Sequence, residues 1–191
     1  RPLFDSQEKT TWVDPELWSP EFEVAPEDGL TFTDYQRMIQ TAFKVTDLTS
    51  ELPAGTITYK DGTGTYRTSP KSDFTQGTDR YLVIDRLKQD KDGSFVDCHG
   101  CGGDLSVIRY NGDATHPVIS KIWNHVSKTG SFGDSGTVIP VTYKAGGFGF
   151  VVAGGSTEQG ETTTWISAYT IKGDAISEIK SLAKTNPSPA P

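Results

Sequence analysis

Residues 174–184, DAISEIKSLAK, close a long series of strand-like segments, and their reading decides the fold class. Ile176, Ile179 and Leu182 recur at three-residue spacing behind Asp174, which stands where an N-cap would, so the segment predicts a helix. A first helix is predicted over 31–45, TFTDYQRMIQTAFKV. There Phe32, Tyr35, Ile39, Ala42 and Phe43 share one face, and Thr31 with Asp34 resembles a capping box with Asp in place of Glu. Between the two helices the chain is punctuated by turns: KDG at 91–93, CHGCGG at 98–103, NGD at 111–113, KAGG at 144–147 and AGG at 153–155. The segment GTITYKDGTGTYRT (55–68) reads as a hairpin around Asp61-Gly62, and DRYLVIDRL (79–87) is apolar enough for a central strand. DLSVIRY, VISKIWNHV, TVIPVTY, GFGFVV and TTTWISAYTI follow with no helix-length gap, the pattern of antiparallel meanders. The expected class is α+β: an antiparallel β-sheet or sandwich meander with two packed helices and an extended N-terminal arm.

Residues 1–30 are rich in Pro, Glu, Asp and Trp, and the prolines at 15, 20 and 26 forbid a long helix or a central strand. Trp12, Leu17, Trp18 and Phe22 still give this stretch enough apolar surface to pack as an arm. The expected organisation is therefore an arm over 1–30, a single α+β domain over 31–184 and a Pro-rich tail over 185–191. The chain of 191 residues is long enough for a substantial core. Its formal charge of −7, with no Lys/Arg cluster longer than two, argues against nucleic acid as a partner. No apolar run approaches the roughly 18–20 residues that span a bilayer, so no membrane insertion is expected. The opening RPLFDSQEKTTW carries no leader of its own and is compatible with a signal peptide already removed.

Three motifs invite chemistry. Gly-Asp-Ser-Gly at 133–136 surrounds the nucleophile in chymotrypsin-like proteases, but the histidines here, His99, His116 and His125, fall within the 36 residues before Ser135. The upstream histidine of that design is missing, and the tetrapeptide equally suits a strand-joining loop. A different triad of His125, Ser135 and Asp104 or Asp113 stays open as a hydrolase alternative. The second motif is CHGC, holding Cys98 and Cys101. No histidine follows the second cysteine as haem attachment requires, and two glycines and a strand follow where a redox site would start a helix. A small-loop disulfide is the plainest reading. A metal site completed by His99, His116 or His125, and a free or redox-active pair, are the alternatives. Third, DKDGSFVD faintly resembles a calcium loop, yet Lys88 and His99 would take the positions of essential carboxylates, and a turn at Asp92-Gly93 explains it better. No P-loop and no dinucleotide fingerprint is present, and no cofactor is expected.

The order of VDCHGCGGDLSVIRYNGD, GSFGDSG and GFGFVVAGGSTEQGETTTWISAYTI resembles a family of secreted bacterial proteins of unknown activity. That family's pattern is a Cys-His-x-Cys turn before a strand, a G-x-F-G-x-x-G loop and a G-x-x-x-Q-G strand pair, matched here over about residues 96–172. The resemblance implies an exported, disulfide-bearing bacterial domain and carries no catalytic residue. Taken together, the readings point to a periplasmic or secreted, non-enzymatic binding module of the inhibitor, immunity-type or envelope-accessory kind. Its partner would be another protein or an envelope component. The candidate contact residues are Glu158 and Gln159 at a hairpin tip, and Trp12 and Trp18 in the arm. The alternatives are a hydrolase using Ser135 with His125, and a metal-binding module at Cys98 and Cys101.

Overall fold

The structure, a computed structural model, describes residues 2–51, 55–95 and 98–187. Residues 96–97, where the family resemblance begins, and 188–191 of the expected tail lie outside the described residues. The chain gathers into two units, one of Arg1–Asp5 and Glu27–Ser135, the other of Ser6–Pro26 and Gly136–Pro191.

The first unit is a six-stranded antiparallel sheet in sequential order: β2 (Leu48–Glu51), β3 (Thr56–Asp61), β4 (Gly64–Gln76), β5 (Asp79–Lys88), β6 (Leu105–Asn111) and β7 (Val118–Ser127). β5 lies in the interior of that order, as its apolar run requires, and the β3–β4 hairpin closes at Asp61 and Gly64. Helix α2 (Phe32–Phe43) packs on this sheet. The Thr31 hydroxyl accepts from the Asp34 amide, the Asp34 carboxylate accepts from the Thr31 amide, and Lys44 ends the helix in the left-handed region. Tyr35, Met38 and Ile39 enter one core with Ile57, Leu82, Ile84, Ile108 and Tyr110. The amphipathic spacing of 31–45 thus becomes a packed face.

That core contains a charged group. Asp73 is buried, with its carboxylate accepting from Arg80 Nη2 at 2.9 Å and from the Tyr110 hydroxyl at 2.7 Å, while Asp28 stands 3.4 Å from the same arginine. Burial outweighs these partners and pushes the Asp73 carboxyl up to about 6.

The second unit is a five-stranded sheet in the order β1-β8-β9-β10-β11: β1 (Phe22–Val24), β8 (Thr137–Tyr143), β9 (Phe148–Glu158), β10 (Glu161–Lys172) and β11 (Ala175–Pro187). A short helix, α1 (Ser6–Thr10), stands in the arm. Val13, Leu17 and Phe22 of the arm pack with Ile139, Val141, Val151, Ala153, Ile166 and Ala168.

Here the expected class is corrected. Residues 174–184 are strand, not helix, and the described residues are mostly antiparallel β with two short helices among them, not α+β with two packed helices. The reason lies in the turn and in the neighbouring edge. Lys172 pairs with Ala175, which leaves Gly173-Asp174 as a two-residue hairpin loop with Gly173 at φ 58°. Asp174 is a turn residue rather than a helix cap. β11 then pairs along the whole of β10, whose outer N–H and C=O groups would otherwise lack partners.

Asp73 makes the stability of the first unit depend on pH. Its folded value lies above that of the unfolded chain, so its contribution is fully present below about pH 4 and is lost as pH rises through about 6. The shift corresponds to about 3 kcal/mol. Denaturant midpoints of the parent and of Asp73→Asn should therefore diverge between pH 4 and pH 7, with the parent losing more; parallel slopes would refute this assignment.

Candidate functional site

The Gly-Asp-Ser-Gly loop is held from below by a carboxylate. Ser135 is fully buried; its hydroxyl donates to Asp85 Oδ1 and its amide to Asp85 Oδ2, at 3.0 Å for the latter. Lys71 reaches the same cluster, 2.6 Å from Asp134 and 3.4 Å from Asp85. Burial pushes the Asp85 carboxyl up, while the Lys71 ammonium and the Ser135 hydroxyl and amide oppose that rise. Glycines permit the packing: a Cβ at Gly103 would run into the Asp85 carboxylate and the Ser135 hydroxyl, and one at Gly130 into the Asp134 carbonyl. A serine nucleophile must give its proton to a base and meet a substrate. This hydroxyl is sealed from solvent and spent on a structural acceptor.

His125 does find one expected partner. Its Nδ1 is 2.6 Å from Asp104 Oδ2, and the ring is mostly exposed. The strand irregularity of β7 produces this contact, since Leu105 faces Ser127 and Val107 faces Trp123, so Ser106 stands against three residues. His125 takes φ 56° within that bulge. Asp104 Oδ1 is buried with no hydrogen-bond partner among the described residues. Two members of the conceivable triad therefore meet, and the serine is committed to Asp85 instead. Asp113 is engaged in its own turn, accepting from the Thr115 and His116 amides.

Cys98 and Cys101 are joined as a disulfide across a Cα separation of 4.9 Å. The stapled loop docks on the serine loop: the Phe132 amide donates to the Cys98 carbonyl at 3.1 Å, and the Gly133 amide to the Cys101 carbonyl at 2.9 Å. His99 meets the Phe132 ring edge-on at 5.1 Å. With both sulfurs bonded to each other, neither is a thiolate ligand. Among the described residues no group of three or more His, Cys, Asp or Glu side chains is placed to hold a metal ion.

In the second unit, Glu158 pairs with Glu161, which leaves Gln159-Gly160 as the loop, at φ 47° and 81°. Positive φ at both positions is the type I′ hairpin geometry. Glu158 and Gln159 are exposed at its tip. The two arm tryptophans differ. Trp18 packs edge-on against Phe22 at 5.6 Å, whereas Trp12 is 74% exposed. Two residues beyond Trp12, the Asp14 carboxylate accepts from the Thr164 hydroxyl at 2.9 Å, and Lys184 bonds Glu16 at 2.6 Å. The Glu16 amide and the Thr164 hydroxyl hold the Asp14 carboxyl below its ordinary range. The arm is therefore pinned to the hairpin strands close to Trp12.

No family model matches the chain, and neither does any curated protein or solved structure. Sequence reasoning named Ser135, His125 and both cysteines but missed Asp85 and Lys71, which lie 50 and more residues upstream of the serine and carry no local signal.

Replacing Ser135 with alanine removes a buried hydrogen bond to a carboxylate and should lower stability by about 1.5–3 kcal/mol. A fluorophosphonate probe should leave the parent unlabelled. Labelling that disappears in Ser135→Ala would restore the hydrolase reading.

Proposed function

We propose that this chain is an exported, non-enzymatic binding module that engages another protein, as an inhibitor, immunity-type protein or envelope accessory does. The observation that carries the proposal is Trp12, the large aromatic left outside an arm whose other apolar residues are packed. Recognition energy concentrates in a few aromatic anchors surrounded by polar neighbours that exclude water. Trp12 is such an anchor, and the Asp14–Thr164 and Glu16–Lys184 contacts fix its backbone before any partner arrives. The strands to which the arm is pinned carry a polar surface. Thr157 and Thr162 share a hydroxyl contact at 3.0 Å, Thr163 and Thr185 one at 2.9 Å, and the hairpin ends at Glu158 and Gln159.

Export is supported by the Cys98–Cys101 disulfide, since such bonds persist in oxidising compartments. No helix among the described residues is long and apolar enough to cross a membrane. The hydrolase and metal alternatives are the weaker readings, because Ser135 is sealed against Asp85 and both sulfurs are paired.

A photo-crosslinking side chain at position 12 or 159, in protein exported from a bacterial host, should join one defined partner, and the same group at Thr63 should not. With that partner purified, Trp12→Ala should weaken binding by about 10- to 100-fold at an unchanged melting temperature. An unchanged affinity, or crosslinking equal at all three positions, would overturn the proposal.

A further inference from the structure

At the end of the five-stranded sheet where β8 turns into β9, a groove of about 520 Å³ opens beside β11. That volume falls in the range of small-molecule sites, roughly 300–1,000 Å³. Its construction follows from the strand registers. Phe22 faces Tyr143 across the β1–β8 ladder, with the rings edge-to-face at 5.5 Å. Along the next row Val141 faces Gly149, and Gly149 faces Thr170, so that row has no side chain on β9. Glycine is required there because a Cβ would run into the Tyr169 carbonyl. The Tyr143 hydroxyl donates to that same carbonyl at 2.5 Å, which fixes the ring and leaves its face apolar. Ile179, 51% exposed, forms the opposite wall. It is the extra residue of a bulge, since Ala168 faces Lys180 and Tyr169 faces Glu178.

The rim of this apolar hollow is cationic. Lys144, Lys172 and Lys180 line it, and among the described residues none of the three ammonium groups has an ion-pair partner. Glu21 is the one acidic residue among the described residues that line the groove. In a chain of formal charge −7, the local excess of positive charge is therefore set against an aromatic and aliphatic floor. A cation would be repelled here. A neutral apolar molecule would cover the floor and leave the lysines unanswered, and an extended polyanion would make no use of the rings or of Ile179.

We infer that this groove binds a small amphipathic anion: a ring system or short acyl chain carrying a carboxylate. The apolar body lies on Phe22, Tyr143 and Ile179, and the carboxylate faces Lys172 and Lys180, which act as solvated point charges rather than a rigid fork. This site is independent of the Trp12 surface, and either can fail alone.

The test uses decanoate and 2-naphthoate, with decanol and decyltrimethylammonium as chain-matched controls, on the full chain. Calorimetry should give saturable binding of at least one of the two carboxylates, and amide chemical-shift changes should centre on Tyr143–Gly146, Thr170–Lys172 and Ile179–Lys180. Decanol should bind at least tenfold more weakly than decanoate, and decyltrimethylammonium more weakly still. The double variant Lys172→Gln/Lys180→Gln and the single variant Ile179→Ser should each lose at least tenfold in affinity at unchanged melting temperature, whereas Trp12→Ala should bind as the parent does. The inference is overturned by no saturable binding of either carboxylate, by equal affinities for decanoate and decanol, by shifts centred elsewhere, or by lysine variants that bind like the parent.

Discussion

In a β-ladder each residue faces one partner, and side chains alternate strictly between two faces. Where one strand carries a residue too many, its side chain goes where alternation would not send it, and the strand twists to accommodate it. Among the described residues the ladders show four such irregularities, and three of them set the polar sites and the groove. In β4, Pro70 faces Ile84 and Ser72 faces Val83, so Lys71 is supernumerary and reaches Asp85 and Asp134. In β7 the bulge carries His125 to Asp104. In β11 it delivers Ile179 to the wall of the groove. Regular pairing builds the two sheets, and the departures from it place the side chains on which the polar sites and the groove depend.

The same device explains why part of the fold could be read from sequence and part could not. The helix over 32–43 was legible because two local signals agreed, the capping pair Thr31–Asp34 and a 3.6-residue apolar period. The segment 174–184 offered an apolar spacing of three, which a helix produces and which a strand also produces when it contains one bulge. Ile176 precedes that irregularity, Ile179 is its extra residue, and Leu182 pairs with Ile166 beyond it. The discriminating signal lay just upstream, in Gly173-Asp174 between two strand-like runs, where Asp174 served equally as a cap or as the second residue of a hairpin loop. Exposure settles which of the two is physical: Ile179 and Leu182 face solvent, so no buried stripe existed to hold a helix in place.

The candidate site was legible only to the extent that its chemistry was local. Gly-Asp-Ser-Gly could be read as a loop because its histidine partner was missing, but nothing near Ser135 announces Asp85. The pair of cysteines could be read as a tight bridge because only two residues separate them. Trp12 and Trp18 stood alike in the sequence, and the structure separates them by burial: Trp18 packs on the core of the second unit, edge-on to Phe22, while Trp12 is left exposed. A groove assembled from the ends of β1, β8, β10 and β11 has no sequence signature at all, since its residues are brought together by register.

Charge gives the two ends of the second unit different character. At the arm, two carboxylates share one ammonium: Asp14 and Glu16 both take up Lys184 while the Thr164 hydroxyl donates to Asp14, so the cluster keeps a net negative charge and holds the arm in one geometry. At the groove, three lysines face one glutamate. The overall charge of −7 does not cancel this local excess for a small ligand, because at physiological salt charges more than about 8 Å away are largely screened. A small anion in the groove responds chiefly to the ammonium groups within that distance. A polyanion extends over many screening lengths and meets the acidic remainder of the surface, so the composition that disfavours nucleic acid is compatible with a local anion site. An apolar floor adds a requirement that charge alone would not impose, since burial of hydrocarbon contributes about 25 cal/mol per Å² only when the ligand has hydrocarbon to bury.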